Sequence, residues 1–153
     1  MTTSKRGALL TVTRGEPRDL GRVLALRVGD CAMVVRAPEV SRSTGMIGAQ
    51  ILAALEEEDH RAVAGHLHDR APDRDGARHL FDSFDRIDDV ALADDSVSSR
   101  HAMVFCDEAG VSVLDLGSTN GTFKNGERVV SADLDEGDVL RVGETRFSVA
   151  ARR

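Results

Sequence analysis

Short runs with strand-like patterns of apolar and polar residues occupy both ends of this chain, and a segment with helical periodicity lies between them. Before residue 37, glycine and proline turn signals separate three runs that predict strands, at 8–13, 22–28 and 31–36. After residue 87 the pattern predicts seven more short strands, at 89–92, 102–106, 111–116, 121–123, 127–130, 138–142 and 145–149. Many short strands at regular spacing indicate a β-sandwich.

The middle of the chain has a different periodicity. Residues 46–58 place apolar side chains four positions apart, at Ile47, Ile51 and Leu55. This spacing predicts an amphipathic helix, whose pattern can extend through Ala64. The acidic run 56–59 is then expected to be a solvated helix end, although its charges would be unfavourable at a C-terminus. Residues 78–84 predict a further helical turn.

These patterns together predict one mainly β domain over residues 1–153. Its core is expected to be a β-sandwich of two antiparallel-rich sheets, built from strands in about 8–36 and 88–150. A helical insertion at 38–87 interrupts the sandwich after the third strand. We expect this insertion either to decorate the edge of the sandwich or to form a wall or lid beside a binding face.

Composition and charge exclude several classes of function. Aromatic residues make up 3% of the chain, and the formal net charge is −6. Both values argue against nucleic acid and anionic membranes as partners. Two cysteines, Cys31 and Cys106, lie in apolar runs and are expected to be buried free thiols. The sequence shows no signal peptide and no run of membrane-spanning length, so we expect a cytoplasmic protein.

The sequence DLGSTNGTFKNG at residues 115–126 is the most informative stretch for function. Its Ser, Thr and Asn side chains bond nearby backbone, and its glycines permit positive φ, so it predicts a tight polar loop. The pair Asn125-Gly126 predicts a two-residue hairpin turn. Rigid polar loops on a strand scaffold are typical positions for binding residues.

Three motifs in the second half resemble those of the forkhead-associated (FHA) domain, a phosphothreonine-binding β-sandwich. They are VSSRHA at 97–102, DLGSTNGTFKNG at 115–126 and LDEGDVLRVGETRF at 134–147. The family has a Gly-Arg pair at the end of its third strand. Here Arg36 matches that arginine, Val35 replaces the glycine, and an insertion follows where the family continues directly into its next strand.

The resemblance implies a set of phosphopeptide-binding residues. Arg36 and Ser98 correspond to the principal phosphate contacts, since a phosphothreonine dianion needs a charged forked donor and a hydroxyl. Ser99 and Thr119 match positions that assist phosphate or peptide binding. Asn120 matches the asparagine that bonds the peptide main chain beside the phosphothreonine.

Other residues of the motifs are expected to shape the site. Arg100 lies on the same loop as Ser98 and could add positive charge as a further contact. By resemblance, His101 braces the binding loops through hydrogen bonds and is not a catalyst. Gly121 is expected to permit the turn that presents Asn120.

The phosphate anchor has alternatives in the sequence. Arg42 is a second candidate for the anchoring arginine. A different alignment uses MIGAQ at 46–50 for the family's Ile-Gly-Arg segment, which keeps the glycine but loses the arginine. We favour Arg36, because it ends a predicted strand whereas 46–50 has a helical pattern.

The sequence favours a binding module over an enzyme. It contains no set of nucleophile, base and orienting residue, and no phosphate-cradling P-loop. The aspartates before residue 96, at Asp88, Asp89, Asp94 and Asp95, are expected to be solvated. We expect no cofactor, and no metal site at the histidines His60, His66, His68 and His79.

The predicted function is that of a phosphothreonine-binding adaptor in Ser/Thr kinase signalling. Its predicted partner is a phosphothreonine-containing protein or peptide, such as a Ser/Thr kinase or a kinase substrate. The alternative is an FHA-like scaffold that binds without phosphate, or that self-associates through the helical insertion.

Overall fold

The computed structural model describes residues 7–36, 56–70, 86–107 and 110–151. They form eleven strands and one helix. In chain order these are β1 (Gly7–Arg14), β2 (Val23–Arg27), β3 (Asp30–Arg36), α1 (Glu57–Arg70), β4 (Arg86–Leu92), β5 (Ala102–Asp107), β6 (Gly110–Asp115), β7 (Thr122–Lys124), β8 (Glu127–Val129), β9 (Ser131–Leu134), β10 (Val139–Val142) and β11 (Thr145–Ala151).

The strands form the two sheets of a sandwich, as the sequence predicts. The first sheet has the order β2-β1-β11-β10-β7-β8, and the second has the order β4-β3-β5-β6-β9. Neighbouring strands are antiparallel except β3 and β4, which run parallel from the pair Asp30 and Arg86 to the pair Arg36 and Leu92. The parallel pair therefore places the C-terminal ends of β3 and β4 at the same end of the sandwich.

The main core lies between the two sheets. Alternation along each strand directs every second side chain into this space. Its members include Leu10, Val12, Val34, Val104, Val113, Leu140, Val142 and Phe147, all almost completely buried. This core fixes the register of the strands that contribute to it, because a slip of one residue would move their apolar side chains to the opposite face.

A second core lies on the outer face of the second sheet, beneath α1. The helix contributes Val63 and Leu67, and the sheet contributes Cys31, Met33, Val35, Met103, Phe105 and Leu114. The strands β3 and β5 are consequently buried on both faces, which explains why their sequences are almost uninterrupted apolar runs. Cys31 and Cys106 are buried free thiols, as predicted.

The helix α1 belongs to the connection between β3 and β4. Parallel neighbours in one sheet cannot be joined by a tight turn, and they need a crossover that usually contains a helix. The sequence analysis left open an edge decoration or a wall or lid beside a binding face. The described helix is not an edge decoration, because α1 covers the face of β3, β5 and β6.

The position of the acidic run also differs from the prediction. The helix begins at Glu57, so Glu57, Glu58 and Asp59 form its first turn rather than a C-terminal end. Negative charge is favourable there, since the helix dipole is positive at the N-terminus. The rest of the predicted helix, residues 46–55, and the predicted turn at 78–84 lie outside the described residues.

Most predicted strands are confirmed, and one strand was missed. Two residues, Asn125 and Gly126, join β7 to β8 with φ angles of 51° and 88°, so the predicted hairpin turn is confirmed. The sequence analysis predicted one strand at 127–130, but β8 ends at Val129 and β9 begins at Ser131 in the other sheet. Within the described segments, no helix combines the length and the apolar character needed to cross a bilayer.

Candidate functional site

Two loops and the end of β3 meet at one end of the sandwich. The first loop, residues 93–101, joins β4 to β5, and the second, residues 116–121, joins β6 to β7. The Arg36 amide donates a hydrogen bond to the Ser98 carbonyl at 3.1 Å, and the Thr119 amide donates to the Ser98 hydroxyl at 3.3 Å. Ser98 therefore contacts both the strand end and the second loop.

His101 joins the two loops from a completely buried position. Its Nδ1 accepts a hydrogen bond from the Ser98 amide at 3.0 Å, and its Nε2 lies 2.9 Å from the Gly121 carbonyl. A carbonyl can only accept, so the ring carries its proton on Nε2 and is neutral. Burial lowers the pKa of His101 below its usual value, against the opposing effects of Gly121 and the nearby Asp115 and Asp94. This geometry is that of a brace.

The lowered pKa of His101 predicts a stability that depends on pH. Below about pH 6.5, the unfolded chain binds a proton at His101 that the folded chain does not bind. The contribution of neutral His101 to the free energy of unfolding is therefore complete above that pH. It is lost as the pH falls towards the lowered pKa of the folded state. We expect the free energy of unfolding, measured with urea, to decrease between about pH 7.5 and about pH 5.5. The His101→Gln variant should show a smaller decrease, and an equal decrease would contradict this assignment.

Asp94 anchors the first loop to the turn between β10 and β11. Its Oδ1 accepts from the Ser96 amide and hydroxyl at 2.9 and 2.6 Å, and its Oδ2 accepts from the Glu144 amide and the Thr145 hydroxyl at 3.0 and 2.8 Å. Burial alone would raise the pKa of Asp94, but these hydrogen bonds outweigh it and lower the pKa. Asp94 is 6% exposed, so the expectation that it is solvated is wrong.

The same region requires a glycine at 143. A Cβ on Gly143, which has a φ of 57°, would lie 2.5 Å from the Ser96 hydroxyl and 2.9 Å from Ser96 backbone. The turn between β10 and β11 can therefore approach the first loop only without a side chain at this position.

Asp115 organises the second loop from the end of β6. Its carboxylate accepts from the amides of Gly117 and Ser118, at 3.0 and 3.1 Å, and from the hydroxyls of Ser118 and Thr122. The Ser118 hydroxyl in turn accepts from the Gly121 amide at 3.1 Å. The sequence analysis did not single out Asp115, although an aspartate before a Gly-Ser-Thr-Asn segment is a signal for such a turn.

The predicted binding residues are presented on this framework. Arg36, Thr119, Asn120 and Ser99 are exposed, and Ser98 is half-buried. Asn120 Nδ2 donates to the Ser96 carbonyl at 2.8 Å, which leaves its Oδ1 facing away from this bond. Within the described part of the chain, the Arg36 guanidinium forms no hydrogen bond or ion pair. The structure thus brings these predicted residues to one end of the sandwich.

Comparison with known proteins relates the second half of the chain to a known family. Residues 78–143 match the FHA domain model. Over 59 residues the chain is 43% identical to the glycogen accumulation regulator GarA of Mycobacterium tuberculosis, and the alignment covers 39% of this chain and 36% of that protein. The chain contains an FHA domain. It matches only about a third of the length of this curated relative.

Solved FHA domains share the sandwich fold of the described residues. The FHA domain of the CT664 protein from Chlamydia trachomatis aligns with a TM-score of 0.57 at 19% identity, covering 96% of this chain and 99% of that chain. A structure from a study of phosphothreonine-dependent FHA domain interactions aligns with a TM-score of 0.54 at 22% identity, covering 96% and 98%. At these identities the likeness shows the fold alone.

The FHA fold explains the unusual residue before Arg36. Val35 stands where the family has glycine, and its side chain is buried in the second core against α1. Alternation along β3 then places Arg36 on the same face as Ala32 and Val34, beyond the main core and towards the loops. The departure from the family pattern thus coincides with the packing of Val35 in the second core, beneath α1.

Three further arginines lie near this end of the sandwich. Arg100 forms ion pairs with Glu56 and Asp59 of the α1 region, so its charge is already neutralised. Arg141 lies over the Phe123 ring, with its guanidinium carbon 3.9 Å from the ring centroid. Arg128 is exposed, and its Nε lies 2.9 Å from where a Cβ on Gly121 would be. The Asn-Gly hairpin could have revealed Arg128, because its register pairs Arg128 with Phe123.

Metal-ligand groupings are absent from the described ranges, where no group of three or more His, Cys, Asp and Glu side chains could hold an ion. His66 instead lies 2.9 Å from the Ser112 hydroxyl and packs on the Phe105 ring at 5.1 Å between centroids. Its role is therefore in the packing of α1. Of the other histidines considered for metal, the side chain of His68 and the whole of His79 lie outside the described residues.

Proposed function

We propose that this FHA domain is a phosphothreonine-peptide-binding adaptor module in Ser/Thr kinase signalling. The convergence of Arg36, Ser98, Thr119 and Asn120 at one end of the sandwich is the observation that carries the proposal. These residues come from three separate segments, and backbone or side-chain hydrogen bonds connect all three segments. A binding surface built in this way is rigid before a ligand arrives.

The donors at this surface match a phosphate dianion. Arg36 supplies a permanently charged, forked guanidinium that has no competing carboxylate within the described residues. The Ser98 hydroxyl accepts a bond from the Thr119 amide, so its own proton remains available for a phosphate oxygen. Ser99 adds an exposed hydroxyl on the same loop. The charge is built locally, as required in a chain with a net charge of −6.

Asn120 and Thr119 are suited to hold the peptide beside the phosphothreonine. Because the Asn120 Nδ2 is bonded to the Ser96 carbonyl, the Oδ1 has a fixed direction and can accept from a peptide N–H. The remaining Nδ2 hydrogen can donate to a peptide carbonyl. This pair of contacts would orient an extended main chain without reading its side chains.

The comparisons support an adaptor rather than an enzyme. The relative GarA is named a regulator, and one solved FHA domain comes from work on phosphothreonine-dependent interactions. We infer that the partner here is a phosphothreonine-containing protein, such as a Ser/Thr kinase or its substrate. The proposal places the module in the cytoplasm, where ATP-dependent kinases act.

A library of phosphothreonine peptides with matched unphosphorylated peptides tests this function. We expect binding to phosphorylated members only, and the screen would also report the preferred residues around the phosphothreonine. Equal affinity for both forms would refute the proposal and favour the phosphate-independent scaffold.

The structure also bears on self-association through the insertion. The helix α1 buries Val63 and Leu67 against its own sheet, so these side chains are not available to a second copy.

A further inference from the structure

Arg100 links the candidate phosphate loop to the inserted helix. Its guanidinium pairs with the Asp59 carboxylate through one terminal nitrogen and with the Glu56 carboxylate at 2.6 Å through the other. Arg100 is two residues from Ser98, whereas Glu56 and Asp59 lie at the start of α1, more than forty positions away along the chain. This contact is the Arg100 ion-pair cluster.

We propose that Arg100 is a positioning residue, which holds the Ser98–Ser99 segment in its binding conformation by fastening it to α1. This inference rests on the proposed function, since it concerns the same site. The helix would thereby be a working part of the binding site, although it does not supply a phosphate contact.

The geometry of the cluster is that of a built contact rather than a chance surface pair. The Asp59 side chain is 9% exposed and the Arg100 side chain 29%, whereas the pair Arg61 and Glu57 on the same helix is 75% and 82% exposed. Asp59 is also held in place, because its carboxylate accepts from the Glu56 amide at 2.9 Å. Partial burial and two carboxylates on one guanidinium strengthen the interaction relative to an exposed pair.

The cluster holds the loop from the side that faces α1, whereas His101 holds it from the buried side. On the inner side, His101 accepts from the Ser98 amide and bonds to the Gly121 carbonyl. On the outer side, Arg100 is fastened to a helix that is itself packed on the sheet through Val63. Ser98 and Ser99 immediately precede these two anchored residues, so both anchors determine their orientation.

The same geometry argues against a direct phosphate contact by Arg100. Its single positive charge faces two carboxylates, which leaves a net negative charge around it. A phosphate at Arg36 and Ser98 could recruit Arg100 only by separating it from both carboxylates, at the cost of leaving the nearly buried Asp59 unpaired. The cluster is therefore suited to hold the loop and unsuited to bind an anion.

Calorimetric titration with a phosphothreonine peptide selected in the library screen tests the proposal. We expect the Arg100→Met variant and the Glu56→Gln, Asp59→Asn double variant each to bind about threefold to tenfold more weakly. The combined triple variant should lose no more than either, because both changes break the same contact. Arg100→Lys should restore part of the affinity. The Asp59→Asn change retains an oxygen that can accept from the amide of residue 56, so the helix start is preserved.

The direction in which the double variant changes the peptide affinity distinguishes a positioning role of Arg100 from a direct phosphate contact. If Arg100 binds phosphate itself, removing its carboxylate partners would free it and tighten binding, which would overturn the proposal. Unchanged affinity in both variants would also overturn it. The matched control is Arg61→Met, which breaks the exposed pair on the same helix and should leave affinity unchanged.

A measurement without peptide keeps this proposal distinct from the proposed function. In the free protein, Arg100→Met should shift the amide resonances of Ser98 and Ser99 and accelerate their hydrogen exchange, while Arg61→Met should not. If no phosphopeptide binds to the unmodified protein, the proposed function fails, but the amide data still decide whether the cluster positions the loop. Unperturbed Ser98 and Ser99 amides in Arg100→Met would refute the positioning role.

Discussion

Replacing Arg36 with alanine is expected to lower the affinity for a phosphothreonine peptide by about tenfold to hundredfold, as measured by calorimetric titration. Arg36 is exposed at the end of β3, and its backbone is tied to Ser98 by the 3.1 Å bond from its amide. Its guanidinium forms no hydrogen bond or ion pair with the described residues that the substitution would break. The expected loss is therefore one of charge-assisted binding and not of folding.

A matched control is Arg27→Ala. Arg27 is also exposed at the end of a strand, but it pairs with Gly7, at the end of the sandwich opposite the two loops. Affinity should remain unchanged in this variant, and both variants should unfold at the temperature of the unmodified protein. Retained affinity in Arg36→Ala would remove Arg36 as the anchor, and it would direct attention to Arg128 and to Arg42.

The second large effect is expected for His101→Ala. This change removes a completely buried ring and leaves the Ser98 amide and the Gly121 carbonyl without their partner. Each buried polar group left unpaired is costly, and the ring leaves a cavity. We expect the free energy of unfolding, measured with urea, to fall by about 2–4 kcal/mol, with loss of phosphopeptide binding.

His60→Ala on α1 is the comparison variant, since this histidine is only half-buried. We expect it to change the unfolding free energy by no more than about 0.5 kcal/mol. A small effect of His101→Ala on stability, combined with a large effect on binding, would contradict the brace and indicate direct ligand contact.

Much of the sandwich could be predicted from local patterns. The strands and the Asn125-Gly126 turn depend on alternation and turn chemistry within a few residues, and these signals survive in the folded protein. The missed strand β9 shows where they fail. Residues 131–134 contain only one fully buried apolar side chain, Leu134, so the alternation is too short to detect.

The sequence analysis named the candidate contact residues and the bracing His101, but it missed the roles of Asp94, Asp115 and Arg100 in supporting the loops. Ser98, Asn120 and His101 belong to recognisable motifs, and the structure brings them together. The burial of Asp94 was not predicted because its hydrogen-bond partner Thr145 is 51 residues away. The residues next to an aspartate in the sequence do not show whether its carboxylate is buried or solvated. The sequence also could not show whether the charge of Arg100 is available to a ligand, because its partner Asp59 lies 41 residues away along the chain.

The sequence by itself determined most of the short strands, the Asn125-Gly126 turn and the polar residues on two loops, because each depends on neighbouring positions in the chain. Only the tertiary structure decided that β3 and β4 are parallel and that α1 covers the outer face of the second sheet. It also decided that Arg100 is paired, whereas the Arg36 guanidinium has no ion-pair partner among the described residues. These features depend on which distant segments share a buried surface. Local patterns can require that an apolar face or a charge finds a partner, but they do not specify the partner.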